Sequence, residues 1–216
     1  MVTVAPAILV YTKEELLQRV ASVPSAKTLH IDIMDGKFVD NTTLDIDALH
    51  ELPKDVEIEY HLMVSNPAEY IRQLPGGKNK IFQVHIESVL DDEITYIRQR
   101  VEHKRGRLAW ALNPPTPITR IEPYLGGVLG VLLMTVNPGW AGQSYIEAVE
   151  DKMRALRSSY PRLGIEIDGG VGAKTIPRAM AAGANRFAAA SAVFGQEDPD
   201  EALRALIRLA EENVKQ

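Results

Sequence analysis

Short runs rich in β-branched and aromatic residues alternate along this chain with stretches whose apolar residues recur at helical spacing. Eight strands are predicted, over 2–9, 28–34, 57–64, 80–86, 107–113, 130–136, 164–168 and 186–190. A helical pattern follows each one. Thr12-Lys13-Glu14-Glu15 reads as a capping box that opens the first helix. Asn66-Pro67 places a cap and then proline at the first helical position, for a short helix running toward Gln73. The spacing predicts longer helices over 90–102, 145–159, 175–182 and 200–214, and shorter ones over 45–52 and 117–124. Eight strand–helix units with no large insertion predict one domain over 1–216, a single (β/α)8 TIM barrel of the α/β class. A doubly wound open sheet is the alternative. It often shows a glycine fingerprint after the first strand, where this chain has Pro6-Ala7-Ile8-Leu9.

Strand parity then singles out a set of residues. Side chains at i, i+2 and i+4 share one face of a strand. His30, Asp32 and Met34 therefore point one way, and Leu29, Ile31 and Ile33 the other. His61 and Met63 share a face on the third strand, and Asp168 ends the seventh. Catalytic groups of a barrel come from the C-terminal ends of different strands. Two imidazoles and two carboxylates at such ends make a complete ligand set for one divalent transition metal. A carboxylate in such a set can also accept a proton beside the ion. Asp35 has the opposite parity to Asp32 and, with Gly36, is expected to shape the loop.

Composition narrows the class. Hydrophobic residues make up 45% of the 216, enough for a full core, and no run of 18 apolar residues predicts a membrane helix. The first residues lack the basic region that opens a secretory signal. The absence of cysteine excludes disulfides, thiolate ligands and a cysteine nucleophile. A formal charge of −5 with no basic run argues against nucleic acid and membrane surfaces as partners. A soluble cytoplasmic protein is the expectation.

Two further segments carry chemistry. Met134–Ser144 holds glycines after the sixth strand, including Gly139 and Gly142 around Trp140 and Ala141. Such a loop can close over a substrate and exclude water, although taken alone it is also an ordinary connection. Asp168-Gly169-Gly170-Val171 and Ala189-Ala190-Ser191-Ala192 follow strands seven and eight. Barrels often hold phosphate there on backbone N–H groups, and glycine lets the backbone approach the anion closely. Met34, Met63 and Met134 each end a strand on the nominated face and suit a soft apolar wall. His85, Glu87 and Asn113 are read as a polar barrel layer, and His50 and His103 as solvated.

The segments 29–41, His61-Leu62-Met63-Val64 with Asn66-Pro67, Ala111-Leu112-Asn113-Pro114, 134–143 and 167–171 together resemble the ribulose-phosphate 3-epimerase family, in order and spacing across nearly the whole chain. The resemblance implies a (β/α)8 barrel with one divalent metal, zinc first, with iron, manganese or cobalt as other occupants. It implies epimerisation at C3 of a ketose phosphate, D-ribulose 5-phosphate to D-xylulose 5-phosphate, through a metal-stabilised enediolate. Carried over by position, the metal ligands are His30, Asp32, His61 and Asp168, and Asp32 and Asp168 are the two acid/base groups. The substrate contacts implied are His61, Met34, Met63, Met134, the loop residues Gly139, Trp140, Ala141 and Gly142, and Gly169, Gly170, Ala190 and Ser191 at the phosphate. A homo-oligomer is implied as well.

The chain departs from the family pattern around that centre. Ala7 stands where the family has serine, Val10-Tyr11-Thr12-Lys13 replaces acidic and aromatic residues, Trp140-Ala141 replaces Phe-Gly, and Ala190 and Asp45 replace glycines. These positions bear on the sugar more than on the reaction type. They leave two alternatives: a hexulose-phosphate 3-epimerase acting on a substrate such as allulose 6-phosphate, and a sugar-phosphate-binding barrel without turnover. A lyase on the same type of barrel would call for a lysine among the strand-end acids, and the strand ends carry none.

Overall fold

Parity along the strands becomes two surfaces once the sheet closes. The computed structural model describes residues 2–140 and 142–214. Its strands are β1 (Thr3–Ile8), β2 (Thr28–Met34), β3 (Glu57–Met63), β4 (Lys80–His85), β5 (Arg107–Leu112), β6 (Gly130–Met134), β7 (Gly164–Asp168) and β8 (Arg186–Ala189). Each pairs in parallel with its sequence neighbours, and β8 pairs with β1, so the sheet is a closed barrel with no free edge. The open-sheet alternative is thereby excluded.

Residues of one parity, such as Leu29, Ile31, Ile33, Tyr60, Phe82 and Trp110, join the helices in one large apolar cluster. Each such aliphatic or aromatic side chain contributes about 1.5–3 kcal/mol by leaving water. Those helices are α1 (Lys13–Ala21), α2 (Pro67–Gln73), α3 (Ile94–His103), α4 (Glu150–Ser159), α5 (Thr175–Ala182), α6 (Ser191–Phe194) and α7 (Pro199–Val214). The capping box at Thr12 is present: Glu15 N donates to the Thr12 hydroxyl, and the Glu15 carboxylate accepts from Thr12 N. The opposite parity carries a separate small apolar cluster of Ala111, Leu132, Met134 and Val136. Much of the rest of that inner face is polar, which is the fact that builds the site.

The helical expectations need correction after two strands. Residues 45–52 make only a 3₁₀ turn, Ile46–Glu51, and 117–124 make two, Ile118–Arg120 and Glu122–Tyr124. Pro114, Pro115, Pro117 and Pro123 in the second connection remove the N–H groups that an α-helix would use. Side chains tie that segment down instead. Trp110 Nε1 donates to the Tyr124 carbonyl at 3.1 Å, and Arg98 donates to the Tyr124 and Gly126 carbonyls. The short α6 was not expected from the spacing. Among the described residues no helix is long and apolar enough to cross a membrane.

Candidate active site

Register puts the nominated side chains at matching heights. His30 pairs with Glu59, Asp32 with His61 and Met34 with Met63 across β2 and β3, while Met134 pairs with Asp168 across β6 and β7. Barrel closure brings β2 and β7 to face each other across the interior, and four donor atoms converge. His30 Nε2 lies 3.2 Å from His61 Nδ1, 3.5 Å from Asp32 Oδ1 and 3.9 Å from Asp168 Oδ2. His61 Nδ1 lies 2.9 Å from Asp32 Oδ1 and 3.5 Å from Asp168 Oδ2. A tetrahedral ion with ligand bonds of about 2.0–2.2 Å holds its donors about 3.3–3.6 Å apart. Two nitrogens and two carboxylate oxygens at these separations therefore fit one divalent transition ion.

The far sides of both imidazoles are engaged as well. His30 Nδ1 faces Glu59 Oε2 at 3.3 Å and Glu166 Oε1 at 3.2 Å. His61 Nε2 faces His85 Nε2 at 2.9 Å, and His85 Nδ1 faces Glu87 Oε2 at 3.3 Å. Glu87 in turn accepts from Asn113 N at 2.8 Å. Partners of this kind fix the tautomer and rotation of a metal-ligating histidine. The sequence reading missed Glu59, Glu166 and Arg186. The signal was there: Glu59 and Glu166 stand two residues before His61 and Asp168, hence on the same inner faces.

Electrostatics separates the two aspartates. Burial disfavours the Asp32 charge, but hydrogen bonds to His30 and His61 outweigh it and hold the carboxyl well below the usual range. Burial and the Asp32 charge push Asp168 up to about 6. Burial depresses His30, yet its bonds to Asp32, Glu166 and Glu59 prevail and raise it well above the ordinary imidazole value. Burial leaves His61 lowered. An ion needs the His30 lone pair and competes with protons for the Asp168 carboxyl, so binding releases protons. Apparent ion affinity is therefore expected to fall as pH drops from 7.5 through 6 toward 5, measured by competition with a chelating dye. A pH-independent affinity across that window would contradict the assignment.

The cleft above this centre is lined by Asp32 and Asp168 together with Met34, Met63 and Met134. Gly139, Trp140 and Gly142 border it from the β6 loop, and Gly169, Gly170, Ala190 and Ser191 from the loops after β7 and β8. Ala141 lies outside the described residues. His61, nominated also as a substrate contact, is fully buried and is not among the cleft-lining residues. Ala7 is buried in β1 and pairs with His30. Asp35 shapes its loop as expected, accepting from Lys37 N, Phe38 N and Ser65 N.

The loops around the cleft are tied to each other. Asn41 Nδ2 donates to the Gly139 carbonyl at 2.8 Å, linking the β2 and β6 loops. The Thr135 hydroxyl donates to the Asp168 and Gly169 carbonyls at 2.9 and 2.6 Å, fixing the end of β7. Gly169 has φ +111°, and an added Cβ would stand 2.4 Å from Val136 Cγ2. Gly169→Ala is expected to cost about 1–3 kcal/mol of stability by strain and to displace Asp168. Thermal melting and an activity assay check this; an unaltered melt would show that the backbone relaxes freely.

The sequence pattern of the Ribulose-phosphate 3 epimerase family matches residues 3–194. The cytoplasmic isoform of ribulose-phosphate 3-epimerase from Oryza sativa subsp. japonica is 40% identical over 191 residues, covering 86% of this chain and 83% of the relative. Ribulose-phosphate 3-epimerase from Bacillus subtilis is 35% identical over 213 residues, covering 94% and 97%. Among solved structures, 3-hexulose-6-phosphate synthase from Salmonella typhimurium superposes with a TM-score of 0.75 at 14% identity, covering 98% of this chain and 99% of that one, a likeness of fold alone. The match spans every strand that supplies a donor to the centre. This chain belongs to the ribulose-phosphate 3-epimerase family.

Proposed function

We propose that this protein interconverts D-ribulose 5-phosphate and D-xylulose 5-phosphate by inverting C3. The observation that carries the reading is the convergence of Asp32 and Asp168, from strands β2 and β7 that are not neighbours in the barrel, on one cluster at the floor of the cleft. Inverting a carbon beside a carbonyl needs a base on one face and an acid on the other, because a single base returns the proton to the face it left. The environments of the two aspartates push their proton affinities apart, the usual mark of an acid/base pair.

In one direction the Asp32 carboxylate takes the C3 proton. The electron pair of the C–H bond moves to C2, and the carbonyl oxygen takes the charge of an enediolate. Asp168 returns a proton to C3 from the other side, and the reverse reaction exchanges the roles. His30, Asp32, His61 and Asp168 would hold one divalent ion, with zinc the first to test and iron, manganese and cobalt also suited to the donor set. When bound, such an ion supplies Lewis-acid polarisation of the substrate oxygens and offsets repulsion between the two carboxylates. Met34, Met63 and Met134 would exclude water from the reacting carbon. None of the described cleft-lining residues is Lys or Arg, so backbone N–H groups near Gly169, Gly170, Ala190 and Ser191 would carry the phosphate. Trp140 and the flanking Gly139 and Gly142 would cover it.

The test is proton exchange. Zinc-loaded protein and D-ribulose 5-phosphate in heavy water are expected to put deuterium on C3, followed by NMR. The absence of exchange with ion-loaded, folded protein would overturn the reading. The buried Ala7 methyl beside His30 and the half-exposed Trp140 at the rim favour, as a second reading, a hexulose phosphate such as allulose 6-phosphate. Comparing turnover of five- and six-carbon substrates separates the two.

A further inference from the structure

Beneath the four converging donors lies a layer of charge that the proposed chemistry does not use. Glu59 and Glu166 are 1% and 4% exposed, and each reaches His30 Nδ1. Arg186, the first residue of β8, is bonded to Glu59, and its Nε lies 3.4 Å from Glu166. Gln83 Nε2 donates to Glu166 Oε2 at 2.8 Å. A barrel interior ordinarily fills such a layer with branched apolar side chains. Burying two carboxylates there is costly unless they are paired and hydrogen-bonded. As carboxylates both accept only, so the imidazole atom between them must be the donor. That leaves the opposite nitrogen, Nε2, as the free lone pair of the neutral ring, and Nε2 is the atom aimed at Asp32, His61 and Asp168. The backing of His61 differs, because its Nε2 meets another imidazole, with Glu87 one step further.

We infer that Glu59 and Glu166, held by Arg186 and Gln83, are positioning residues that keep the His30 hydrogen on Nδ1 and present Nε2 to the divalent ion. This role rests on the ion-dependent reading above. The carboxylate pair locks the ring against rotation and makes His30 the more strongly backed of the two imidazoles.

Zinc is the probe. In wild-type protein loaded with zinc, ¹⁵N NMR of the histidine rings is expected to show His30 protonated at Nδ1 and zinc-bound through Nε2. The opposite pattern would overturn the inference without any variant. Zinc release to a chelating dye at fixed pH is expected to be about 10–100-fold faster in the E59Q/E166Q double variant, and less affected in E87Q. A purely structural layer would lower the melting temperature and leave both the ring pattern and the release rate unchanged. Unchanged release from the folded double variant overturns the proposal. Should that variant fail to fold, E166Q alone decides, since Arg186 keeps Glu57 and Glu59 as partners. Wild-type protein that holds no divalent ion would sink the functional reading and this role together; ion held equally by wild type and variants would sink this role alone.

Discussion

Asp168→Asn is expected to reduce C3 exchange by about 10²–10⁴-fold, while the ion-free protein becomes more resistant to denaturation at pH 7. The two effects have opposite signs for one reason. Asp168 is nearly buried beside Asp32, and burial and that neighbouring charge raise its folded pKa to about 6 from the ordinary 3.8. A carboxyl whose folded pKa is raised contributes stability below about pH 4 and loses it as pH rises through 6. At pH 7 its charge therefore opposes folding when no ion is present. Asparagine removes that charge and, with it, a proton carrier and an anionic ligand. Denaturant melts with chelator present and deuterium exchange with ion present measure the two halves. A variant that is less active but also less stable without ion would mean that Asp168 serves the fold, against this account.

His30→Ala is expected to be the most damaging single change, costing about 3–5 kcal/mol of stability as well as the ion. The imidazole is fully buried and stands between two carboxylate pairs, with Glu59 and Glu166 on one side and Asp32 and Asp168 on the other. Truncation leaves Glu59 and Glu166 sharing only Arg186 and Gln83, and it opens a cavity in a packed interior. His61→Ala removes a ligand too, but Asp32 and Asp168 keep His30 as a partner and His85 keeps Glu87, so the expected loss of stability is smaller. Urea unfolding of the two variants, with and without zinc, ranks them. Equal stability of His30→Ala and the parent protein would show that the buried acids are neutral and need no partner.

Much of this was legible along the chain because strand periodicity is a local property. Alternation by two placed Leu29, Ile31 and Ile33 on one surface and His30, Asp32 and Met34 on the other, before any pairing was known. Eight strands recurring with helical spacing between them pointed to a barrel, and the sheet closes with all eight. The same rule applied to Glu59 and Glu166 would have placed them on the inner face, although nothing local says that they meet. The failed helix after β5 shows the reverse case, in which apolar spacing suggested an α-helix and backbone chemistry in the prolines set a different turn.

What the sequence by itself determined is the barrel, the family and the four inward-facing side chains of the second, third and seventh strands that come together on one centre. Only the tertiary structure decided which atom of each side chain faces that centre, what stands behind it, and that His61 is sealed from the cleft. The physical reason is distance along the chain. His30 and Glu166 are 136 residues apart and touch only because the closed sheet brings β2 and β7 to face each other across the interior. Hydrogen bonds and proton affinities in so small and dry a space depend on separations of a few tenths of an ångström, which no pattern of residue types encodes.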